Sequence, residues 1–517
     1  AAAAVAAPAT KVALAKPPKL SKEAPKPKPP TSVTVDHVSA PGLLDYGTHL
    51  LVRSGVIVPS AEEQKRRGRS FVCYNACVSP SHVVSGWGLA ALSADEKTRH
   101  FVEKMLEEKA LDLTISKKSK TADDTLHPSI NCIVYELGPP SFVRLYIEPQ
   151  FAIPQITAIV DEINGAYGDT DAPVIKPLCF SCDDSGDATA RKINHDVSTF
   201  TQKRISTVID MHANLNRLAQ ACVVSAFAST FMWRLTDQAA QPVWSNFYGG
   251  MEKKKSWTSK IRSLTDSGAY RFTKSDQYDC IELCSENPAE LCYLIRPNNQ
   301  PISEWITSVS GSFIDQMISE LPKAKQITVS VPVFTVETPM RLGEAASQSR
   351  GHYSLWRLFD REKCKLTRIF YKNQEDSLCT LPLWDHYHQT VFQLTCKPLV
   401  QPVAVQDAEQ PKTDIELLDA VVENKPEERL GGGTEDGAKA AKWTYHKTED
   451  CTHELYKEEP RPPQIAPNGD TSAMPGKLSF DTPFLFVVRK LTGKSAKLPV
   501  CLGIFSNTDT DDQHDVA

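Results

Sequence analysis

Apolar residues recur at two spacings along this 517-residue chain. Over residues 38–51, Leu43, Leu44, Leu50 and Leu51 return near the helical interval, and Pro41 stands where a first turn tolerates a missing N–H. Residues 71–78 read as a short strand ending at Ser79-Pro80-Ser81, a helix start with an early proline and hydroxyls suited to capping. The helix it opens, through Leu92, is small or apolar on every side, including Val83, Val84, Gly86, Trp87, Ala90 and Ala91. A helix without a polar face belongs inside a large fold. Runs rich in β-branched and aromatic residues predict strands at 130–135, 221–233, 269–272, 280–283, 290–295 and 326–336, with a weaker one at 208–211. Helical patterns occupy 96–109, 156–163, 188–207, 302–318 and 354–359. Near the end, 483–488 and 500–505 form a hairpin pattern about a Thr492-Gly493 turn. Strands and helices do not alternate regularly, so the fold class is α+β.

Two stretches lack either period. Residues 1–34 interleave Lys11, Lys16, Lys19, Lys22, Lys26 and Lys28 with seven prolines and one acid, Glu23, which leaves +5. Such a segment has almost nothing to bury and predicts an extended basic arm. The whole chain carries -5, so the remainder carries -10 and reads as an acidic body behind a basic arm. Residues 398–475 hold Gly431-Gly432-Gly433, dense charge and few strand formers, and predict a long insertion. A body over 35–397 and 476–508 then remains, followed by an acidic end at 509–517.

Composition narrows the function. With 41% hydrophobic and 23% charged residues the chain is globular, and no run approaches the roughly 18–20 apolar residues a membrane span needs. The 14 cysteines are scattered, which favours reduced, buried thiols and a cytoplasmic setting; a chain that starts without Met leaves an extracellular origin open. Cys179 and Cys182 have metal-ligand spacing but no second pair at finger distance, so no metal is assigned. There is no nucleophile elbow, no HExxH, no phosphate-binding Gly-Lys-Ser/Thr loop and no dinucleotide fingerprint, so neither an enzyme nor a cofactor is expected. The acid pairs Asp183-Asp184 and Glu458-Glu459 read as solvated loop charge. Trp443-Thr444-Tyr445-His446 is the aromatic island of the insertion, either a docking peptide or a segment packed on the body.

The closing hairpin carries a resemblance. Phe480-Asp481-Thr482-Pro483-Phe484-Leu485-Phe486-Val487-Val488-Arg489, a Thr-Gly turn and Leu502-Gly503 resemble the C-terminal signature of the serpins, the serine-protease-inhibitor fold. Further segments follow in serpin order. Val78-Ser79-Pro80-Ser81 leading to Ala90-Ala91-Leu92-Ser93 is similar to the buried helix and its entry. Ile193-Asn194 with 199–205 resembles the helix before the long central strand, and Cys222 through Ser225-Ala226-Phe227 to Trp233 resembles that strand. Tyr270-Arg271-Phe272, residues 291–295 and Val331-Pro332-Val333-Phe334 are similar to later strands, and 388–394 to the strand entering the reactive loop. The resemblance covers about residues 38–397 and 476–507. It implies three β-sheets, eight or nine helices and an exposed reactive loop. In inhibitory members a protease cleaves that loop, becomes acylated and is distorted as the loop enters the main sheet as a new strand.

Entry of that kind demands ladder donors and small residues. Counting forward from Leu394 places the hinge at 397–402, where Pro398 and Pro402 each delete a donor. Counting back from Phe480 places the scissile bond among Ser472, Ala473 and Met474, with a still more proline-rich hinge at 458–463. The best hinge composition is Gly433, Thr434, Glu435, Gly437, Ala438, Ala440 and Ala441, but Asp436, Lys439 and Lys442 interrupt it, and a buried unpaired charge costs several kcal/mol. The resemblance also implies a polar shutter under the main sheet, for which Ser79, Ser81 and His388 are candidates, with Ser225 at the place of the usual Asn. Three readings stay open. The first is a non-inhibitory serpin-fold module binding a protein partner. The second is an inhibitor of a serine or cysteine protease. The third is a cytoskeletal or assembly component held to an acidic polymer by the Lys11–Lys28 arm.

Overall fold

The computed structural model describes residues 40–57, 72–105, 141–148, 173–180, 186–210, 219–237, 240–251, 254–343, 355–360, 383–396, 476–491 and 498–506, together with 161, 164, 215, 364 and 366. The chain divides into two units, Ala1–Lys397 with Pro475–Ala517, and Pro398–Met474; every described residue lies in the first. The basic arm with its six lysines, the hinge candidates at 433–441, the scissile candidates Ser472, Ala473 and Met474, and the acidic end lie outside the described residues. So do 130–135 and nearly all of 156–163.

The helices are α1 (Ala40–Gly55), α2 (Pro80–Leu92), α3 (Glu96–Met105), α4 (Asp187–Phe200), α5 (Ile302–Ser308) and α6 (Gly311–Ser319), with a 3-10 turn at Trp356–Leu358. The first strands are β1 (Val56–Ile57), β2 (Val72–Cys73), β3 (Ala76–Val78), β4 (Ser141–Ile147), β5 (Ile175–Pro177) and β6 (Ala221–Met232). Next come β7 (Val243–Met251), β8 (Lys254–Tyr270), β9 (Phe272–Lys274), β10 (Tyr278–Cys284), β11 (Glu290–Pro297), β12 (Lys325–Pro332) and β13 (Phe334–Arg341). The last are β14 (His386–Thr395), β15 (Gly476–Ser479), β16 (Phe484–Lys490) and β17 (Pro499–Phe505). Besides the β1–β2 ribbon they form three sheets. One has six strands in the order β3-β17-β16-β11-β10-β9, one has four, β15-β12-β8-β7, and the main sheet has five, β13-β14-β6-β4-β5.

Burial explains which strands were easy to predict. β16 and β17 are buried along nearly their whole length because the six-stranded sheet is covered on both faces, so their sequences are unbroken apolar runs. β13, at the edge of the main sheet, alternates strictly between buried and exposed. β6 is buried on both faces. One face, with Cys222, Val224, Ala226 and Ala228, packs on Ala190, Ile193 and Val197 of α4. The other, with Val223, Ser225 and Phe227, points toward α2.

Several expectations change. Residues 326–336 are two strands in two different sheets, since β12 ends at Pro332 and β13 begins at Phe334. Residues 302–318 are two helices, because Ser310 leaves the helical backbone and caps α6 by accepting from the Phe313 amide at 3.2 Å. α4 stops at Phe200, where Gln202 and Lys203 take left-handed backbone conformations, φ 54° and 63°. Val208 and Ile209 are buried but form no strand; their amides bond to the Asn194 side chain at 2.9 and 3.0 Å instead of joining a ladder. Strands β1, β4, β5, β7, β15 and most of β8 were not predicted, β7 and β8 because Ser, Asn, Lys and Gly dilute their alternation; the predicted strand at 269–272 spans the end of β8 and the start of β9.

The acidic body is corrected too. Residues 35–397 and 475–508 hold 44 Lys and Arg against 42 Asp and Glu, close to neutrality. The negative charge lies in 398–474, with 16 acids against eight bases, and in the four aspartates of 509–517. Nine described cysteines are free, but Cys179 is disulfide-bonded, a departure from a fully reduced set. Among the described residues no helix is long and apolar enough to cross a membrane.

Candidate functional site at the sheet seam

β14 pairs with β6 in parallel over ten residue pairs, from His386↔Val223 to Thr395↔Met232. No strand lies between them. Alternation places His386, His388 and Thr390 of β14 on the face that holds Val223, Ser225 and Phe227 of β6. Below that face sits the entry of α2. Ser79 and His82 at this entry are buried, as are Ser225, His386, His388 and Thr390.

The polar groups form one connected network. The Ser225 hydroxyl lies 2.8 Å from His386 Nε2 and 2.7 Å from His388 Nδ1, bridging the two imidazoles. His388 Nε2 is 2.8 Å from the Thr390 hydroxyl. The Ser79 amide donates to Thr390 Oγ1 at 3.1 Å and, less closely, to His388 Nε2 at 3.4 Å. The Ser79 hydroxyl donates to the Val500 carbonyl at 2.5 Å and lies 2.5 Å from His82 Nδ1.

Donor bookkeeping fixes the tautomers. With its own proton spent on Val500, the Ser79 hydroxyl accepts from His82 Nδ1–H, so His82 Nε2 is a bare lone pair. The Ser79 amide also points at His388 Nε2, which is therefore an acceptor, so the Thr390 hydroxyl donates to it. His388 Nδ1–H then donates to Ser225, whose proton goes to His386 Nε2. His82 Nε2 and His386 Nδ1 are buried and find no hydrogen-bond partner among the described residues.

Burial favours the neutral form of every ring. Burial pushes His388 down to about 3, against the opposing pull of its bond with Ser225. Burial lowers His386, with His388 adding to it, and lowers His82, with His388 and Lys490 adding to it. Close packing leaves the rings no room to turn. His82 lies 4.8 Å from the Phe227 ring and His386 stands edge-on to Trp87 at 4.4 Å. A Cβ on Gly86 would meet His386 Cε1 at 2.6 Å, so only glycine lets α2 approach this ring.

Of the predicted shutter residues, Ser79, Ser225 and His388 meet here. Ser81 stands at the margin, 3.4 Å from the Ser79 hydroxyl and 3.5 Å from His82 Nδ1. His82, His386 and Thr390 were missed. The signal for two of them was present, because His386-x-His388-x-Thr390 is a period-2 polar face inside an otherwise apolar strand.

The rest of the seam is different in kind. Beyond Thr390 the buried side chains of β14 are Phe392 and Leu394, with Phe231 of β6 opposite Leu394, and Phe392 stacks on Phe486 at 4.6 Å while Phe334 stacks on Phe505 at 4.4 Å. Across the opposite face, Asp196 of α4 accepts from Arg144 at 3.1 Å, Tyr146 at 2.8 Å and Lys176 at 2.6 Å. Arg144 is itself held between the rings of Phe142 and Phe200. On the far side of the 398–474 segment, β15 pairs with β12 in parallel. Arg296 donates to the Ser479 carbonyl at the end of β15 and to Asp279 at 2.5 Å, with Asn298 completing the Asp279 cage at 3.0 Å.

Comparison with known proteins agrees with this architecture. The chain matches several serpin structures across about nine-tenths of its length and 99% of theirs. They are native protease nexin-1 with heparin (TM-score 0.56, 15% identity), a tumour suppressing serpin (0.54, 13%) and uncleaved ovalbumin (0.56, 13%). At that identity the likeness is one of fold. No curated protein matches the sequence significantly. Residues 69–395 match the family described as Serpin (serine protease inhibitor). With that match spanning most of the chain, this chain belongs to the serpin family.

Proposed function

We propose that this serpin-family chain is a protein-binding module and not a protease trap. The observation that carries the reading is the sequence directly after β14. The strand ends at Thr395, and Pro398 and Pro402 follow within seven residues. A reactive loop entering between β6 and β14 would begin with these residues. Each proline removes a ladder donor and leaves a buried carbonyl short of a partner, at a cost of about 1–3 kcal/mol apiece. Direct β6–β14 pairing is the starting arrangement under either reading, so the composition of the entering segment decides.

The parts that contact a partner are the lysine-rich arm and the 398–474 segment, both polar and long. The module performs no catalysis of its own. Its rival is an inhibitor cleaved near Ser472, Ala473 or Met474. To test the reading, the intact chain is incubated with a panel of serine and cysteine proteases, and the nicked product is melted beside the uncut one. We expect cleavage within 398–474, no SDS-resistant adduct and a midpoint within a few degrees of the uncut chain. An adduct, or a nicked form that melts far higher, overturns it.

A further inference from the structure

The seam contains three buried imidazoles where one was expected, and their arrangement bears on how the main sheet opens. His386 and His388 sit on β14, Ser225 faces them from β6, and His82 reaches up from the entry of α2. The network thus spans all three elements that must part for β14 to leave β6. Each ring holds one proton, and none has an acceptor ready for a second. His82 Nε2 is the open lone pair; a proton there becomes a cationic N–H with no acceptor among the described residues. On His386 and His388 a second proton would have to displace the hydroxyl donors Ser225 and Thr390.

The surrounding charges do not relieve this. Asp385 is the nearest acid in sequence, but its carboxylate already accepts from Gly343, from the His386 amide and from Arg341. Lys490 opposes a positive charge on His82, and His388 opposes one on either of the others. Cys77, packed beside Thr390, has its Sγ 3.3 Å from the carbonyls of Val336 and Thr390.

We propose that the three histidines form an acid-operated latch: protonation separates β14 from β6 while the other two sheets stay folded. The direction follows from linkage. These imidazoles are held neutral in the closed sheet and titrate normally, near 6.5, once exposed. Closure is at full strength above about pH 6.5 and weakens as pH falls below it. Each histidine that gains a proton on opening raises the opening equilibrium by up to about tenfold per pH unit.

Hydrogen exchange of the full chain, corrected for intrinsic rates, tests this at pH 6.5 and 5.0. Protection of β6 and β14 should fall by at least about sixteenfold, the yield of one histidine of exposed pKa near 6.5 between these two pH values, while β10 and β11 of the six-stranded sheet keep theirs. His82→Gln and His388→Gln should each reduce that pH dependence by up to about sixteenfold. Equal protection at both pH values overturns the latch. So does loss of protection in all sheets together, which would be global acid unfolding, or an unchanged pH dependence in both variants. If a variant does not fold, the comparison on the unaltered chain decides.

Discussion

Ser225 carries two hydrogen bonds that no neighbour can replace. Its hydroxyl is the common partner of His386 Nε2 and His388 Nδ1, and all three residues are inaccessible to water. Ser225→Ala keeps the strand apolar and nearly the same size but strands two buried ring nitrogens. Each unmet group costs about 1–3 kcal/mol, so a loss of about 2–4 kcal/mol is expected in urea unfolding at pH 7.5. A loss under about 0.5 kcal/mol would mean that the rings find other partners. The same site shows where reading single residues reached its limit. Ser79, Ser225 and His388 were legible from their order along the chain. His82 was not, because a histidine beside Val83 on an apolar helix reads as a helix residue until Ser79 and Phe227 are seen against its ring.

At the scale of elements, β14 and β15 flank residues 398–474 in the sequence, and a buried ion pair holds the end of β15. Arg296 and Asp279 are both buried, and Arg296 also reaches the Ser479 carbonyl, so one guanidinium links the six-stranded sheet to the end of β15. Arg296→Ala leaves the buried Asp279 with Asn298 as its remaining side-chain partner among the described residues. A destabilisation of about 3–5 kcal/mol is expected in chemical denaturation. A charge-free replacement of the pair, Arg296→Met with Asp279→Leu, should recover much of it, and failure to recover would place the cost in the lost Ser479 contact. Element types were legible where burial on both faces left a nearly unbroken apolar run, as in β6, β16 and β17, or where a helix had no polar side, as in α2. They were not legible where tertiary contacts replaced local signals. The Asn194 side chain takes the amides of Val208 and Ile209 that a strand would have used, and Ser310 ends one helix and begins another within an apolar run.

Across the whole molecule, charge is distributed by segment. The folded body is near neutral, the arm is +5, and 398–474 with 509–517 are strongly negative. If the arm is the contact with an acidic partner, association should depend on it and on ionic strength. Co-sedimentation with an acidic polymer such as microtubules should weaken several-fold between 50 and 200 mM salt as the Debye length shortens from about 14 to 7 Å, and should vanish on deleting residues 1–34. Binding that survives the deletion would assign the contact to another segment. Fold-level order was legible here because the motifs fell in sequence order over most of the chain. The charge of the body was not, because a single total hides which segments carry it.

The seam between β6 and β14 joins two unlike halves, polar from His386 to Thr390 and aromatic from Phe392 onward. Burial of rings loses its driving force on cooling, whereas the bridged imidazoles depend little on that force. Low temperature therefore loosens this junction from its aromatic end, the opposite end from the one that holds the histidines.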